Sequence, residues 1–274
     1  IGFECWRLGC DAPLMSTRAE MQLATWNVNS LTVRLPQVLD WLAANPVDAL
    51  VLQETKTTDD KFPKDAIEAA GYQVAFFGQK TYNGVALLSR TPATDVVKNI
   101  PGFEDDMARV IAGTVDGVRV IGAYFPNGQA PDSDKFVYKM RWLEALHAWV
   151  ADELTRHTQL VLMGDFNITV DDRDVWDPVA LKDTIHCTVE EREHFQALIQ
   201  LGTHDAFRLF EQAEKSYSWW DYREFAFRRN RGLRIDHILV SDALKPHVQS
   251  CVIDKAPRKN ERPSDHTPVI VTLA

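Results

Sequence analysis

Apolar runs of strand length recur along the chain, separated by polar turns and by stretches of helical spacing. LATWNV (23–28), ALVLQ (49–53), VALLS (85–89), RVIAGTV (109–115), VRVIGAYF (118–125), LVLMG (160–164), IDHILV (235–240) and VIVTL (269–273) have the length of buried strands. Asp116-Gly117 stands between two of these runs and supplies the positive φ angles that a two-residue hairpin loop needs, so antiparallel pairing is predicted. Phe136, Met140, Leu143, His147, Val150 and Leu154 are spaced as one face of a helix, with His147 as a satisfied core residue. Thr188 and Glu191 form a capping box that opens a second helix running toward Gly202, and a shorter helix is predicted over 34–44. Strands alternating with helices imply sheet layers covered by helices.

Composition refines this picture in three ways. The chain has 274 residues, 45% hydrophobic and 25% charged, an ordinary globular balance with ample length for a large core. From Leu23 onward there is no linker, low-complexity tract or fixed-period repeat, so residues 21–274 read as a single domain. Residues 1–20 are patternless and read as a leader or expression-derived segment without fixed structure, with Met15 or Met21 as the natural start. That opening lacks the apolar core of a signal peptide, and no window reaches the roughly 18 apolar residues of a membrane span, so an intracellular protein with no membrane contact is expected. Four scattered cysteines (5, 10, 187, 251) make neither a disulfide framework nor a zinc site. The net charge of −9 counts against a nucleic-acid partner only if the charge is evenly spread.

The acidic groups are placed at strand ends. ALVLQ runs into Glu54, LVLMG into Asp165 and Asn167, and LATWNV into Asn27 and Asn29; Asp236 opens IDHILV, and Asp265-His266 precede the last strand. Polar groups at strand ends project from the rim of a sheet and could converge. Like charges held together need compensation, and oxygen donors without paired Cys or an HExxH motif suit a hard cation such as Mg²⁺ or Mn²⁺. Taken alone, Glu54 is better explained as a helix cap or a solvated loop residue. Asp165 with Asn167, and Asp265 with His266, point more directly to chemistry.

Eight segments in order resemble one family. They are Trp26-Asn27-Val28-Asn29, Leu52 to Lys56, GYQVAFFGQKTYNG (71–84), Gly122 to Pro126, Gly164-Asp165-Phe166-Asn167, Ser218 to Tyr222, Arg231 to Asp236 and Ser264-Asp265-His266. The chain is similar over residues 21–274 to the exonuclease III family, the abasic-site endonucleases and 3′-end-processing nucleases of base excision repair. The resemblance implies an α/β fold, a four-layer sandwich of two mixed β-sheets flanked by helices, with one Mg²⁺- or Mn²⁺-dependent site at its rim. It makes Glu54 the principal metal ligand, assisted by Asn27, with Asp265, Asp165 and Asn167 at further metal or water positions. Asp165 would deprotonate the attacking water and Asn167 would bond the phosphate or that water. His266 would donate to the scissile phosphate with Asp236 fixing its tautomer, or would itself be the base; the sequence leaves both open. Tyr124 would contact the phosphate or assist the leaving group.

The same resemblance directs attention to DNA. Residues 215–262 hold 11 Lys and Arg against 6 Asp and Glu, a local net of +5 that leaves −14 for the remainder. Arg223, Arg228, Arg229, Arg231 and Arg234 are interleaved with Trp219, Trp220, Tyr222, Phe225 and Phe227, a mixture suited to phosphate contacts and base stacking. By resemblance Trp219 walls the deoxyribose pocket and Arg109 is a further basic contact. Two positions depart from the family: Leu233 where some relatives have Trp, and His186 where abasic-site endonucleases have Gly or Ser. An imidazole at 186 would occupy space that an internal abasic nucleotide needs, while a terminal 3′ phosphate still fits; a solvent-facing His186 without influence is the alternative. The expected partner is double-stranded DNA with damaged or 3′-blocked ends, acted on by a monomer. The rivals are a full abasic-site endonuclease, an inositol-phosphate or sphingolipid phosphoesterase, and a noncatalytic binding module.

Overall fold

The computed structural model describes residues 19–274; most of the leader, with Cys5 and Cys10, lies outside the described residues. The first half of the fold runs β1 (Met21–Asn27), α1 (Leu31–Ala44), β2 (Ala49–Gln53), α2 (Lys64–Ala69), β3 (Gln73–Phe77) and β4 (Val85–Ser89). The middle runs β5 (Thr94–Lys98), β6 (Val110–Val115), β7 (Val118–Tyr124), α3 (Asp134–Arg156), β8 (Leu160–Asp165), α4 (Val189–Gln200) and β9 (Thr203–Asp205). The chain ends with a short pair, β10 (Trp219–Trp220) and β11 (Gly232–Leu233), then β12 (Asp236–Ser241), β13 (Val248–Ile253) and β14 (Val269–Leu273).

Two six-stranded mixed sheets result, ordered β13-β14-β1-β2-β4-β3 and β5-β6-β7-β8-β12-β9. Between them lies an apolar layer that includes Leu23, Val51, Leu87, Ile111, Val120, Val161, Met163, Ile238 and Val271. A second layer packs α1 and α2 on the outer face of the first sheet through Trp26, Leu52, Trp41 and Ile67. A third packs α3 and α4 on the second sheet through Ile121, Leu162, Trp142, Leu146 and Phe195. The expected four layers are present. Gly122 lets the sheets approach, since a Cβ there would meet Val51 at 2.8 Å.

Local signals account for the helix and hairpin boundaries. Asp116 and Gly117 take φ of 47° and 83° in the loop joining β6 and β7. Thr188 and Glu191 close the capping box of α4, and Gly202 follows its end at φ 100°. Helix α1 begins three residues earlier than its spacing indicates, capped by the Ser30 hydroxyl. The buried face of α3 runs through Phe136, Lys139, Trp142, Leu143, Leu146, Trp149, Val150 and Glu153, so its stripe is rotated from the predicted one. His147 is half-buried at the edge of that face and is not a core residue. Lys139 and Glu153 are buried there because each has a charged partner, Glu191 and Arg119. No helix among the described residues is long and apolar enough to cross a membrane.

Candidate active site

Strand pairing brings the polar strand ends together. β1 and β2 run parallel, with Asn27 opposite Gln53, and β14 runs antiparallel to β1, so the segment before β14 reaches the same edge. In the second sheet Tyr124 and Asp165 are opposite each other on parallel strands, and Asp236 faces Asp165 across an antiparallel pair. Close packing is needed at this rim, because a Cβ on Gly164 would come within 1.8 Å of the Ala123 carbonyl oxygen. The two rims are joined by Asn27, whose Nδ2 donates to Glu54 Oε2 at 2.5 Å and to Asp165 Oδ2 at 2.9 Å.

The resulting cluster is buried and acidic. Oxygen atoms of Glu54 and Asp165 and a ring nitrogen of His266 all lie within 4.8 Å of one another. His266 Nδ1 bonds Asp236 Oδ2 at 2.8 Å, and its Nε2 faces Asp165 Oδ2 at 3.5 Å. Burial lifts the Asp165 carboxyl, His266 opposes this, and Asp236 and Glu54 add to it, so its pKa is raised to about 7. Burial alone would lower the His266 pKa, but Asp236 and Asp165 outweigh it and hold the ring well above the usual imidazole value. The Tyr124 hydroxyl is likewise held protonated, by burial and by the nearby carboxylates of Glu54 and Asp165. Asp236 Oδ1 is buried without a hydrogen-bond partner.

Such a set fits a hard divalent cation. The carboxylates of Glu54 and Asp165 offer oxygen, their mutual repulsion is relieved by positive charge, and no thiolate competes. Other expected ligands are differently engaged. Asn27 turns its NH₂ to the carboxylates while its Oδ1 accepts from Asn29 N at 3.0 Å, so it acts as a donor here. Asn167 N binds Asp165 Oδ1 at 3.0 Å and its Nδ2 binds Phe125 O at 2.9 Å. Asp265 stands outside the 4.8 Å group, its two oxygens taking Trp219 Nε1 at 3.0 Å and Asn29 Nδ2 at 3.3 Å. Glu54 and Asn167 adopt φ of 53° and 50°, turning the chain at the ends of β2 and β8.

A cleft of about 550 Å³ adjoins this rim, lined by Trp176, Ile185, His186, Trp219, Arg231 and Leu233 among others. His186 is buried rather than solvent-facing. Its Nδ1 bonds the Asn167 carbonyl oxygen at 2.8 Å and its backbone sits at φ 73°. Burial, with Lys139 adding, depresses its pKa to about 3, so the ring is neutral. Trp219 ties the cleft to the rim through Asp265 and through a β-bridge to His266.

The predicted arginines divide. Arg228 and Arg229 are exposed, as is Arg223, which is paired with Asp221, and Arg231 lies over the Trp176 ring at 5.0 Å. Arg109 is buried beneath Tyr124, bonding Tyr138 Oη at 3.2 Å and Tyr124 O at 3.3 Å, so it braces Tyr124 and does not present a free guanidinium. Arg234 departs from the basic surface altogether: it is 1% exposed and bound to Asp174 and Asp205. Trp176, Asn29 and Lys56 also belong to the site region, with Lys56 Nζ 2.6 Å from Asn29 Oδ1 and 3.6 Å from Glu54. Trp176 is an isolated aromatic in a loop, so no periodicity marks it.

Comparison with known proteins agrees with this geometry. The model of the endonuclease/exonuclease/phosphatase family matches residues 24–266. Exodeoxyribonuclease III of Haemophilus influenzae is 34% identical over 266 residues, covering 91% of this chain and 98% of the relative. A Neisseria 3′ phosphatase, NExo, solved with a product DNA hairpin, superposes with a TM-score of 0.91 at 50% identity over 93% of this chain and 99% of that one. An AP endonuclease of Archaeoglobus fulgidus superposes at 0.89 with 35% identity, over 92% and 99% of the two chains. A rim of converging carboxylates, a histidine held by Asp236 and these matches lead to one conclusion: the chain belongs to the endonuclease/exonuclease/phosphatase family, among its exonuclease III-type nucleases.

Proposed function

We propose that the protein is a divalent-metal-dependent DNA repair phosphoesterase of base excision repair, a 3′→5′ exonuclease and 3′-phosphatase whose abasic-site incision is restrained by His186. The observation that carries this reading is the buried, neutral imidazole of His186 lining the cleft that Trp219 also lines. An internal abasic nucleotide has chain on both sides and needs that space; a terminal 3′ phosphate does not. Similarity to the Neisseria 3′ phosphatase supports the 3′-phosphatase part of this reading.

In this mechanism Glu54 and Asp165 would hold the cation, which would neutralise charge developing on the phosphate oxygens. Asp165 orients the attacking water and takes its proton, with Asn167 N and Asn27 Nδ2 holding the carboxylate in place. In this reading His266, with Asp236 bonded to its Nδ1, donates its Nε2–H to a phosphate oxygen, and the base role is left to Asp165. Tyr124 donates its hydroxyl proton toward the phosphate or the leaving oxygen, with Arg109 packed 5.1 Å from its ring. Asn167 orients the phosphate or water, and Asp265 keeps Trp219 in place. Arg223, Arg228, Arg229 and Arg231 contact backbone phosphates of damaged or 3′-blocked double-stranded DNA, the cation being Mg²⁺ or Mn²⁺. This reading carries a monomer and an intracellular location alongside the DNA.

The test is a side-by-side assay of nicked 3′-phosphate, recessed 3′-hydroxyl and internal abasic duplexes with added Mg²⁺, using wild type and His186→Gly. Wild type should favour the first two, and His186→Gly should gain abasic incision. Equal and strong abasic incision by both would contradict the proposal.

A further inference from the structure

One buried ion pair behind the site is not used by the chemistry above. Lys139, on α3, is fully buried, and its ammonium bonds the Glu191 carboxylate, the Asn167 carbonyl oxygen at 2.7 Å and the Asn127 carbonyl oxygen at 3.2 Å. All three of its donors are used. Glu191, on α4, accepts the His186 backbone N–H at 3.1 Å through Oε2 and the Thr188 hydroxyl at 2.8 Å through Oε1. The Asn167 oxygen that Lys139 holds is the same one that His186 Nδ1 bonds.

The pair therefore ties together three loops that border the rim: the loop after β7 at Asn127, the loop after β8 at Asn167, and the loop before α4 at His186. Two of the residues it holds, Asn167 and His186, have φ of 50° and 73°. Stability alone does not call for an ion pair at this place, because a buried pair can often be exchanged for apolar residues of similar volume without loss.

We propose that Lys139 and Glu191 are specificity-positioning residues, which lock the His186 loop against Asn167 and so hold the imidazole in the cleft. The inference rests on the reading that His186 restrains abasic-site incision. The measured quantity is the ratio of kcat/KM for an internal abasic duplex to that for a nicked 3′-phosphate duplex. Because both rates come from one preparation, the ratio does not depend on the fraction folded, which a merely structural role would alter. Lys139→Met/Glu191→Met should raise the ratio about tenfold, within the roughly hundredfold by which a small displacement of a site group can change a rate. Glu191→Gln, which keeps length and the capping-box acceptor, should raise it less. Adding the paired substitutions to His186→Gly should leave that variant's ratio unchanged.

Each outcome decides. A ratio unchanged in the pair variants while His186→Gly raises it overturns the positioning role and leaves the His186 reading intact. A ratio unchanged in all of them overturns both. A ratio raised by the pair variants but not by His186→Gly overturns the route through His186.

Discussion

Two clusters of carboxylates, one beside the second sheet around Arg234 and one at the rim shared by both sheets, behave in opposite ways. Around Arg234, Asp174 and Asp205 accept its guanidinium at 2.7 Å each, and Arg208 adds a further bond to Asp174 at 2.6 Å. Burial would raise both carboxyls, but Arg234 outweighs it and holds them below the usual carboxylate range. At the rim, Glu54, Asp165 and Asp236 share one imidazole and one amide, and Asp165 rises to about 7. Acids supplied with fixed cations serve the fold. Acids left short of positive charge form a site, because the missing charge must come from outside.

Substitutions separate the two most sharply in their effect on turnover. Asp165→Asn should lower release of phosphate from a 3′-phosphorylated duplex by about 10³-fold or more, measured in single turnover, with the fold intact by circular dichroism. Asp174→Asn should do the reverse: it leaves Arg234 and Arg208 short of a partner, costing about 3–5 kcal/mol in denaturant unfolding. Activity per folded molecule should change little.

Acid divides the clusters more gently. Asp174 and Asp205 have depressed folded pKa values, so their contribution is present above the unfolded value of 3.8 and is lost as pH falls through the folded ones. His186 acts over a higher range. Its folded pKa of about 3 lies below the free value of 6.5, so stability from the neutral ring is complete above pH 6.5 and declines as the pH falls toward 3. Urea midpoints across this range should fall less for His186→Gly than for wild type. The smallest effect concerns the basic surface: Arg228→Gln/Arg229→Gln should flatten the salt dependence of DNA affinity by about one to two counterions. An unchanged salt slope would remove both arginines from the interface.

The two clusters also show why parts of the molecule are legible in sequence. Interior strands such as β1, β2, β4, β7 and β8 are buried on both faces and read as continuous apolar runs. Of the six strands that the pattern misses, β3, β5, β9 and β13 are the edges of the two large sheets, where exposure mixes polar residues such as those of Thr94–Lys98 into the run, and β10 and β11 are only two residues long. Rim residues are legible because they sit at the ends of legible strands. Arg234 is not separable from its basic neighbours by composition; pairing with Asp205, 29 residues away, is a tertiary fact. Lys139 and Glu153 are missed for the same reason, since hydropathy treats a buried paired charge as surface.

The most direct test of the account is Mg²⁺-dependent phosphate release from a 3′-phosphorylated nicked duplex by wild type and Glu54→Ala, in protein freed of contaminating nucleases. Wild type should release phosphate in a reaction that excess EDTA abolishes and Mg²⁺ or Mn²⁺ restores, and Glu54→Ala should release none. Release that persists in Glu54→Ala or in excess EDTA would contradict the account.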